Sequence, residues 1–435
     1  MSYLVKFFST ILLLVFNVTW GQYQSHRVGN MNNLEVSQVQ FGVMIAGGAT
    51  DNDESMRWML NRIGGGDVLV LRASGGDGYN KYLYEDLTIG LNSVETIIIQ
   101  DRAASYDSYV LQRLEEAEMV FFAGGNQARY VEYLRNTPID SILQDKIDRR
   151  SVVVGGTSAG AMILGSSYFT AENGTVYSDE ALKNPFNQYM TLGSDDFLKI
   201  PFLENTIIDT HFDNPDRKGR LVGFLARLYP GTGVPHHGIG IDEYTAIAFD
   251  QNGMVRVFGE FPEYDDKVYF FRSDCNKQVM PEVIQAGVAL SWSELFMAEV
   301  KALSEDTSIF DLNSWDQLPD TSSDFYKIKV VNGKMSVEKI LQDRFCLPSN
   351  TKNPELSNIN IRISKLSSNH YSINSSKTIK SISLFTPAGR KVGYYPIEMS
   401  NDVILNLSQL TSGLYYVSII HEDNSFDAAI LTICE

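Results

Sequence analysis

Between residues 38 and 165 the chain alternates short apolar runs with amphipathic stretches. The runs at 41–46, 68–71, 96–99, 119–122 and 152–154 are continuously apolar rather than alternating, the pattern of parallel strands covered on both faces. The stretches 105–117 and 129–150 between them have helical spacing. Strand and helix in repetition predict an α/β fold with a doubly wound, mostly parallel sheet. Several runs end in glycine pairs: Gly47-Gly48, Gly75-Gly76, Gly124-Gly125 and Gly155-Gly156. Such pairs turn the chain sharply at the carboxyl ends of strands, where open α/β sheets bind ligands.

Further on the pattern changes. Runs at 239–242, 245–249, 255–258 and 268–271 are short and closely spaced, and Asp250-Gln251-Asn252-Gly253 is a hairpin turn between two of them, which predicts antiparallel strands. The segment 280–345 is less regular; 289–303 is read as a helix. Near Pro348 and Pro354 the composition shifts, predicting a linker at 348–357. Beyond it Ile382 and Leu384, then Val403, Leu405 and Leu407, then Tyr415, Val417 and Ile419 alternate with polar residues, the signature of sheets with one buried face. The expected organisation is a large domain at 35–347 and a small all-β sandwich at 358–435.

Residues 1–21 read as a signal peptide: Lys6, an apolar stretch from Phe7 to Val18, and small residues around a cut after Gly21. The stretch is shorter than the roughly 20 apolar residues a membrane span requires, so no membrane span is expected after its removal. The net charge of −17 over 435 residues disfavours nucleic acid and anionic membranes as partners, since both demand a basic footprint. Three cysteines, Cys275, Cys346 and Cys434, lack CxxC or CxxH spacing, so neither a metal site nor a cysteine nucleophile is expected. In an exported protein two can pair; Cys275 with Cys346 is the expected pair, Cys434 being almost terminal.

The run 152–154 followed by Gly155-Gly156-Thr157-Ser158-Ala159-Gly160-Ala161 has the form strand, tight turn, helix. A serine at such a turn is held in strained backbone with its hydroxyl exposed at a helix N-terminus. The Ala159 amide then faces a developing oxyanion, and Gly125 is the expected second donor. A phosphate loop would carry a lysine after the glycines, and none is present. Of six histidines, His26 lies beside the signal peptide and His370 and His421 in the C-terminal domain. His211, at the end of a strand and followed by Arg217 and Arg220, is the expected base; flanking cations suit a substrate with a carboxylate. His236 and His237 read as an exposed loop. For the orienting acid Glu243 ends another strand. Asp242 beside it points to the opposite face, and Glu172 and Asp179 compete. Sequence alone does not choose among them. Serine chemistry of this kind needs no cofactor.

Together these motifs resemble the cyanophycinase and peptidase E family of serine peptidases, which share a fold with class I glutamine amidotransferases. The resemblance spans about residues 38–275. It is carried by Gly124-Gly125-Asn126-Gln127, Gly156-Thr157-Ser158-Ala159-Gly160-Ala161, Asp209-Thr210-His211-Phe212 with Arg217 and Arg220, and Gly238-Ile239-Gly240-Ile241-Asp242-Glu243. It implies Ser158 as nucleophile, His211 as base and Glu243 as acid, with Gln127, Asp209, Arg217 and Arg220 lining the substrate pocket, and it favours a dimer. Cyanophycinases cut the β-linked Asp–Arg polymer; peptidase E relatives remove N-terminal Asp dipeptides. This chain departs from the cyanophycinase pattern at Thr210, Pro215 and Val176, which leaves the peptide or β-aspartyl substrate open. The tail resembles the C-terminal sorting domain of type IX secretion cargo, through Phe385 to Val392 and Leu407 to Val417, although the usual terminal basic residues are absent. It implies the type IX secretion machinery as a partner and a secreted or outer-surface location. The alternatives are a catalytically inactive surface-binding protein on the same fold and a dipeptidase E-like exopeptidase.

Overall fold

The structure is a computed structural model. It describes residues 21–275, 279–303, 309–313, 315, 318, 323–341, 361–366, 370–386, 391–422 and 426–433. The expected signal-peptide stretch up to residue 20, the linker at 348–357, and Cys346 and Cys434 lie outside them. Cys275 is disulfide-bonded. The chain divides into two compact units, Met1–Leu347 and Pro348–Glu435.

The first unit contains two sheets. The strands are β1 (Tyr23–Gly29), β2 (Gly42–Ala46), β3 (Asp67–Arg72), β4 (Ser93–Ile99), β5 (Met119–Phe122), β6 (Val153–Thr157), β7 (Ser167–Phe169), β8 (Leu192–Ser194), β9 (Thr206–Thr210), β10 (His237–Ile241), β11 (Ala246–Asp250), β12 (Met254–Phe258), β13 (Lys267–Arg272), β14 (Trp292–Lys301), β15 (Ile309–Asp311), β16 (Ser323–Val331) and β17 (Lys334–Ile340). The helices are α1 (Asp53–Leu60), α2 (Gly78–Lys81), α3 (Ser108–Glu116), α4 (Gln127–Leu134), α5 (Pro138–Asp148), α6 (Ala159–Met162), α7 (Ser178–Lys183) and α8 (Lys218–Thr232). The first sheet has the order β1-β4-β3-β5-β6-β2-β11-β12-β15. Its central five strands, β4 to β2, are parallel, and antiparallel strands extend both edges. The continuous apolar runs therefore become the buried parallel strands, every residue of β2, β4 and β5 being buried.

One face of this sheet packs against α1 through Met56, Met59 and Leu60. The other packs against α3, α4 and α5 and against the second sheet, in one core that joins Ile45, Val154 and Phe122 to Ile208, Ile239 and Phe270. The second sheet, β17-β16-β14-β13-β10-β9-β7-β8, is mostly antiparallel, with β9 parallel to both β10 and β7. Its far face is covered by α8 and α7 through Leu221, Val222, Leu225, Ala181 and Leu182. The strands that lead to His211 and Glu243, β9 and β10, belong to this second sheet.

Three local expectations are corrected. Residues 289–303 are not a helix: β14 takes up most of them, at Trp292–Lys301, between β13 and β16. A register shift between Trp292 and Leu295 moves the apolar phase by one, so buried Trp292 and Leu295 mimic helical spacing. The single helix expected over 129–150 is two, α4 and α5, because Pro138 lacks an N–H for a continuing helix and instead starts a new one at its first turn. His236 and His237 do not form an exposed loop. His236 is buried, and His237 opens β10 and packs against Trp315 with the rings tilted by 32° and their centroids 4.5 Å apart.

In the second unit, β18 (Ile361–Lys365), β19 (His370–Phe385), β20 (Lys391–Asn406), β21 (Gly413–His421) and β22 (Phe426–Ile433) form a sheet in which β20 lies beside β19. The β19 register breaks between Asn374 and Ile379; its first part pairs with β18 and its last part with β21. The alternating residues Ile382, Leu384, Val403, Leu405, Leu407, Tyr415, Val417 and Ile419 fill one core. The turn expected at Pro387–Gly389 lies outside the described residues.

Candidate active site

Ser158 stands between β6 and α6 with φ 53° and ψ −123°, a backbone that a non-glycine residue adopts only under constraint. The constraint is visible in its neighbours. A Cβ on Gly156 would lie 2.5 Å from the Gly160 carbonyl oxygen, and one on Gly160 would lie 2.1 Å from that of Phe122. Only glycines let the turn close this tightly. The Ser158 amide donates to the Ala46 carbonyl at 3.1 Å, which ties the turn to the end of β2. Ala159 is the first residue of α6 and has no preceding helical carbonyl for its N–H. Gly124 lies against Ser158, its Cβ position being 3.9 Å from Oγ. Gly125, at φ 150°, follows.

The second sheet supplies the rest. β9 ends at Thr210 and the adjacent parallel strand β10 ends at Ile241, so the residues just beyond both ends are neighbours. His211 (φ 48°) donates its backbone N–H to the Gly47 carbonyl at 2.8 Å. Its ring lies over Gly48, where a Cβ would come within 2.5 Å of Nε2. Ser158 Oγ and His211 Nε2 are 2.7 Å apart, and His211 Nδ1 and Glu243 Oε1 are 2.6 Å apart. Glu172 is exposed, and Asp179 pairs with Lys183 at 2.8 Å on α7; neither is brought to His211.

Two residues that sequence reasoning passed over complete the arrangement. Asn214 donates its side-chain amide to Glu243 Oε2 at 3.3 Å, and the Asp213 carboxylate accepts the Glu243 backbone N–H at 2.9 Å. Their signal was present in the sequence only as polar residues just after His211. Burial raises the Glu243 carboxyl, but the hydrogen bonds from His211 and Asn214 and the charges of His211 and Arg217 outweigh it and hold the group below its ordinary range. Asp242 behaves oppositely. It is buried with Oδ1 unpartnered among the described residues. Burial, reinforced by the Asp213 charge, pushes its carboxyl up to about 8 despite Lys218 and Tyr269.

The expected pocket residues separate into two kinds. Asp209 and Arg220 are buried and satisfy each other: Arg220 Nε donates to Asp209 Oδ2 at 2.8 Å and Nη2 to Oδ1 at 2.5 Å. Arg220 also donates to Thr175 and to the Val176 carbonyl, which places Val176 beneath the guanidinium. Arg217 is half-buried, and the one hydrogen bond of its guanidinium among the described residues runs to the Thr210 carbonyl at 2.7 Å, leaving donors free. Gln127, half-buried at the start of α4, has its amide 3.7 Å from Met162 Sδ. Pro215 follows a cis peptide bond after Asn214.

A hydrogen-bonded Ser–His–Glu line with an elbow serine on an α/β sheet is the arrangement of serine hydrolases. The comparisons with known proteins narrow this. Residues 77–257 carry a Peptidase family S51 region, and residues 352–431 carry a secretion system C-terminal sorting domain region; both resemblances read from the motifs are found in the chain. Similar proteins include cyanophycinases of Synechococcus elongatus (31% identity, 50% of this chain and 65% of the relative) and of Trichormus variabilis (28% identity, 50% and 70%). The chain thus spans 65% of the length of the first of these. Among solved structures, a peptidase from an acI-B1 Actinobacterium aligns at 16% identity over 53% of this chain and 91% of its own, with a TM-score of 0.39. A putative peptidase E protein from Listeria monocytogenes aligns at 16% identity over 51% and 98%, with a TM-score of 0.33.

Proposed function

We propose that the protein is a serine peptidase of the cyanophycinase type, hydrolysing peptide or β-aspartyl bonds outside the cytoplasm. The observation that carries this reading is the unbroken line from Ser158 Oγ through the His211 ring to Glu243, with contacts of 2.7 and 2.6 Å. In the proposed reaction Ser158 Oγ bonds to the scissile carbonyl carbon while His211 Nε2 takes its proton. The oxyanion is received by the Gly125 and Ala159 amides. The carbon–nitrogen bond then breaks as His211 returns the proton to the leaving amine, and water repeats the sequence to release the acyl group. Glu243 keeps the imidazole oriented and stabilises its cation. Arg217, with unused donors beside the line, suits a substrate carboxylate. Asp209 and Arg220, already paired, shape the floor near it. The sorting-domain region at 352–431 supports export by the type IX route to the surface or medium.

A fluorophosphonate probe tests the chemistry: the mature protein is expected to label once, at Ser158, and Ser158→Ala to abolish both labelling and peptide cleavage. Labelling that survives in Ser158→Ala would overturn the assignment. Digestion of a β-Asp–Arg polymer beside a panel of aspartyl dipeptides tests the substrate class.

A further inference from the structure

Asp51 stands behind the nucleophile and has no part in the reaction steps above. It follows the segment that supports the catalytic line: Gly47 accepts the His211 backbone N–H, and Gly48 lies under the His211 ring. It does not cap helix α1, because Asn52 is the residue that accepts the Ser55 N–H, at 3.0 Å. Yet Asp51 is half-buried and its Oδ1 is withdrawn from solvent, which is costly for a carboxylate unless its neighbours compensate it. Burial drives the carboxyl up, and the Tyr79 hydroxyl, the Thr157 hydroxyl and the Arg72 charge oppose that rise. Thr157 is itself buried and immediately precedes Ser158. Asp51 therefore touches the turn that carries the nucleophile and, two residues on, the Ala159 amide.

Tyr79 joins Asp51 to Arg72. Its hydroxyl donates to Asp51 Oδ2 at 2.5 Å, and the Arg72 guanidinium lies over its ring with Cζ 5.6 Å from the centroid. The same ring packs on Phe121 of β5 at 5.1 Å between centroids. Arg72 in turn holds the next loop. Its Nε donates to the Ser74 carbonyl at 3.0 Å. Gly75, at φ 98°, folds back against the guanidinium, so that a Cβ there would lie 2.6 Å from Nη2. Ser74 Oγ lies 3.2 Å from where a Gly125 Cβ would stand. One end of this chain of contacts thus reaches the turn bearing the Ala159 amide, and the other reaches the loop bearing the Gly125 amide.

We propose that Asp51 and Arg72 are positioning residues of the oxyanion hole, a linked pair that sets the separation of the Ala159 and Gly125 amides. The inference rests on the serine peptidase reading above. Neither side chain touches the substrate in this role. The oxyanion exists only as the tetrahedral species forms, so a misplaced amide slows the chemical step and leaves the binding of the unreacted molecule alone. Opposite charges joined through one ring also act as a unit: once either is removed, the other no longer has the partner that fixes it.

The test uses the full-length mature protein and a fluorophosphonate probe, whose phosphoryl oxygen takes the place of the oxyanion while Ser158 displaces fluoride. Rates are taken per titratable serine, so that loss of folded protein does not enter them. Asp51→Asn and Arg72→Gln are each expected to lower the limiting rate of labelling about 10- to 100-fold, the penalty of a small misplacement. The half-saturating probe concentration should stay within about twofold. Asp51→Asn with Arg72→Gln together should cost no more than the larger single change. Arg72→Lys should recover part of the rate, because it keeps the charge but lacks the Nε–H that holds Ser74. Asp53→Asn, a change at the rim of the same cleft, should stay within about twofold of wild type. The proposal is overturned if the single variants label at the wild-type limiting rate, if their effects multiply in the double variant, or if only the titratable fraction falls. If wild type itself does not label at Ser158, the serine peptidase reading fails and this inference falls with it.

Discussion

The two sheets of the first unit hold their halves of the site by different means. On the parallel sheet the position of Ser158 is set by backbone packed against backbone, at glycines where a Cβ would fall 2.1–2.5 Å from a carbonyl oxygen. On the second sheet His211 and Glu243 are set by side-chain hydrogen bonds from residues in one short turn: the His211 ring, the Asp213 carboxylate and the Asn214 amide all grip residue 243. Packed backbone has no partial failure, because an added atom must displace a strand. Hydrogen-bonded side chains fail one contact at a time. Substitutions on the first sheet should therefore cost the fold, and those on the second should cost chemistry while sparing it.

The largest expected effect is chemical. Glu243→Gln should lower kcat about ten-thousand-fold by favouring the wrong imidazole tautomer, with an unchanged melting temperature; a large loss of stability would erase the distinction between the sheets. Next is Gly160→Val, which should destabilise the unit by about 3 kcal/mol or more through overpacking against β5, measured by urea denaturation. A well-folded but inactive Gly160→Val would show that the elbow yields locally. Smaller again, Asn214→Ala should reduce kcat about tenfold through the loss of one hydrogen bond to a charged group. Since Asn214 helps hold the Glu243 carboxyl below its usual range, its removal should move the acid limb of the pH–rate profile upward. Asn214→Gln should recover part of both effects. A further effect, on stability against pH, lies at the boundary. Asp242 keeps its proton to about pH 8 in the folded protein but loses it near pH 4 when unfolded, so between those values the unfolded chain binds fewer protons. Stability should fall as pH rises from about 4 to 8 and then level. Asp242→Asn should flatten that slope in calorimetry at stepped pH.

Much of this was readable along the chain. The parallel strands declared themselves as continuous apolar runs, and Ser158, His211 and Glu243 each follow an apolar run at a point where the chain must turn. Allocation to sheets was not readable, because the pairing of β9 with β10 and β7 depends on contacts distant in sequence. β14 was misread since its bulge disguises period two and since Leu, Met, Ala, Glu and Lys are good helix formers whose preference was overridden by strands on both sides. The burial of His236 was hidden by a Gly-Val-Pro approach that resembles a loop. Asp213 and Asn214 carry no periodic signal; their role emerges only once residue 243 is folded against them. The mutual pairing of Asp209 and Arg220 was equally hidden, since two charged residues eleven positions apart look alike whether they face a ligand or each other.

β1 runs antiparallel to β4 in unbroken register from Tyr23 to Gly29. An uncovered outer strand on a parallel sheet is a template for other chains, and here the cover is the earliest strand described. Anything that keeps residues 23–29 away from β4 leaves that strand adhesive. Self-association during folding is then governed by when this one strand docks, and a variant lacking residues 22–30 should form aggregates in proportion to protein concentration while still assembling its two sheets.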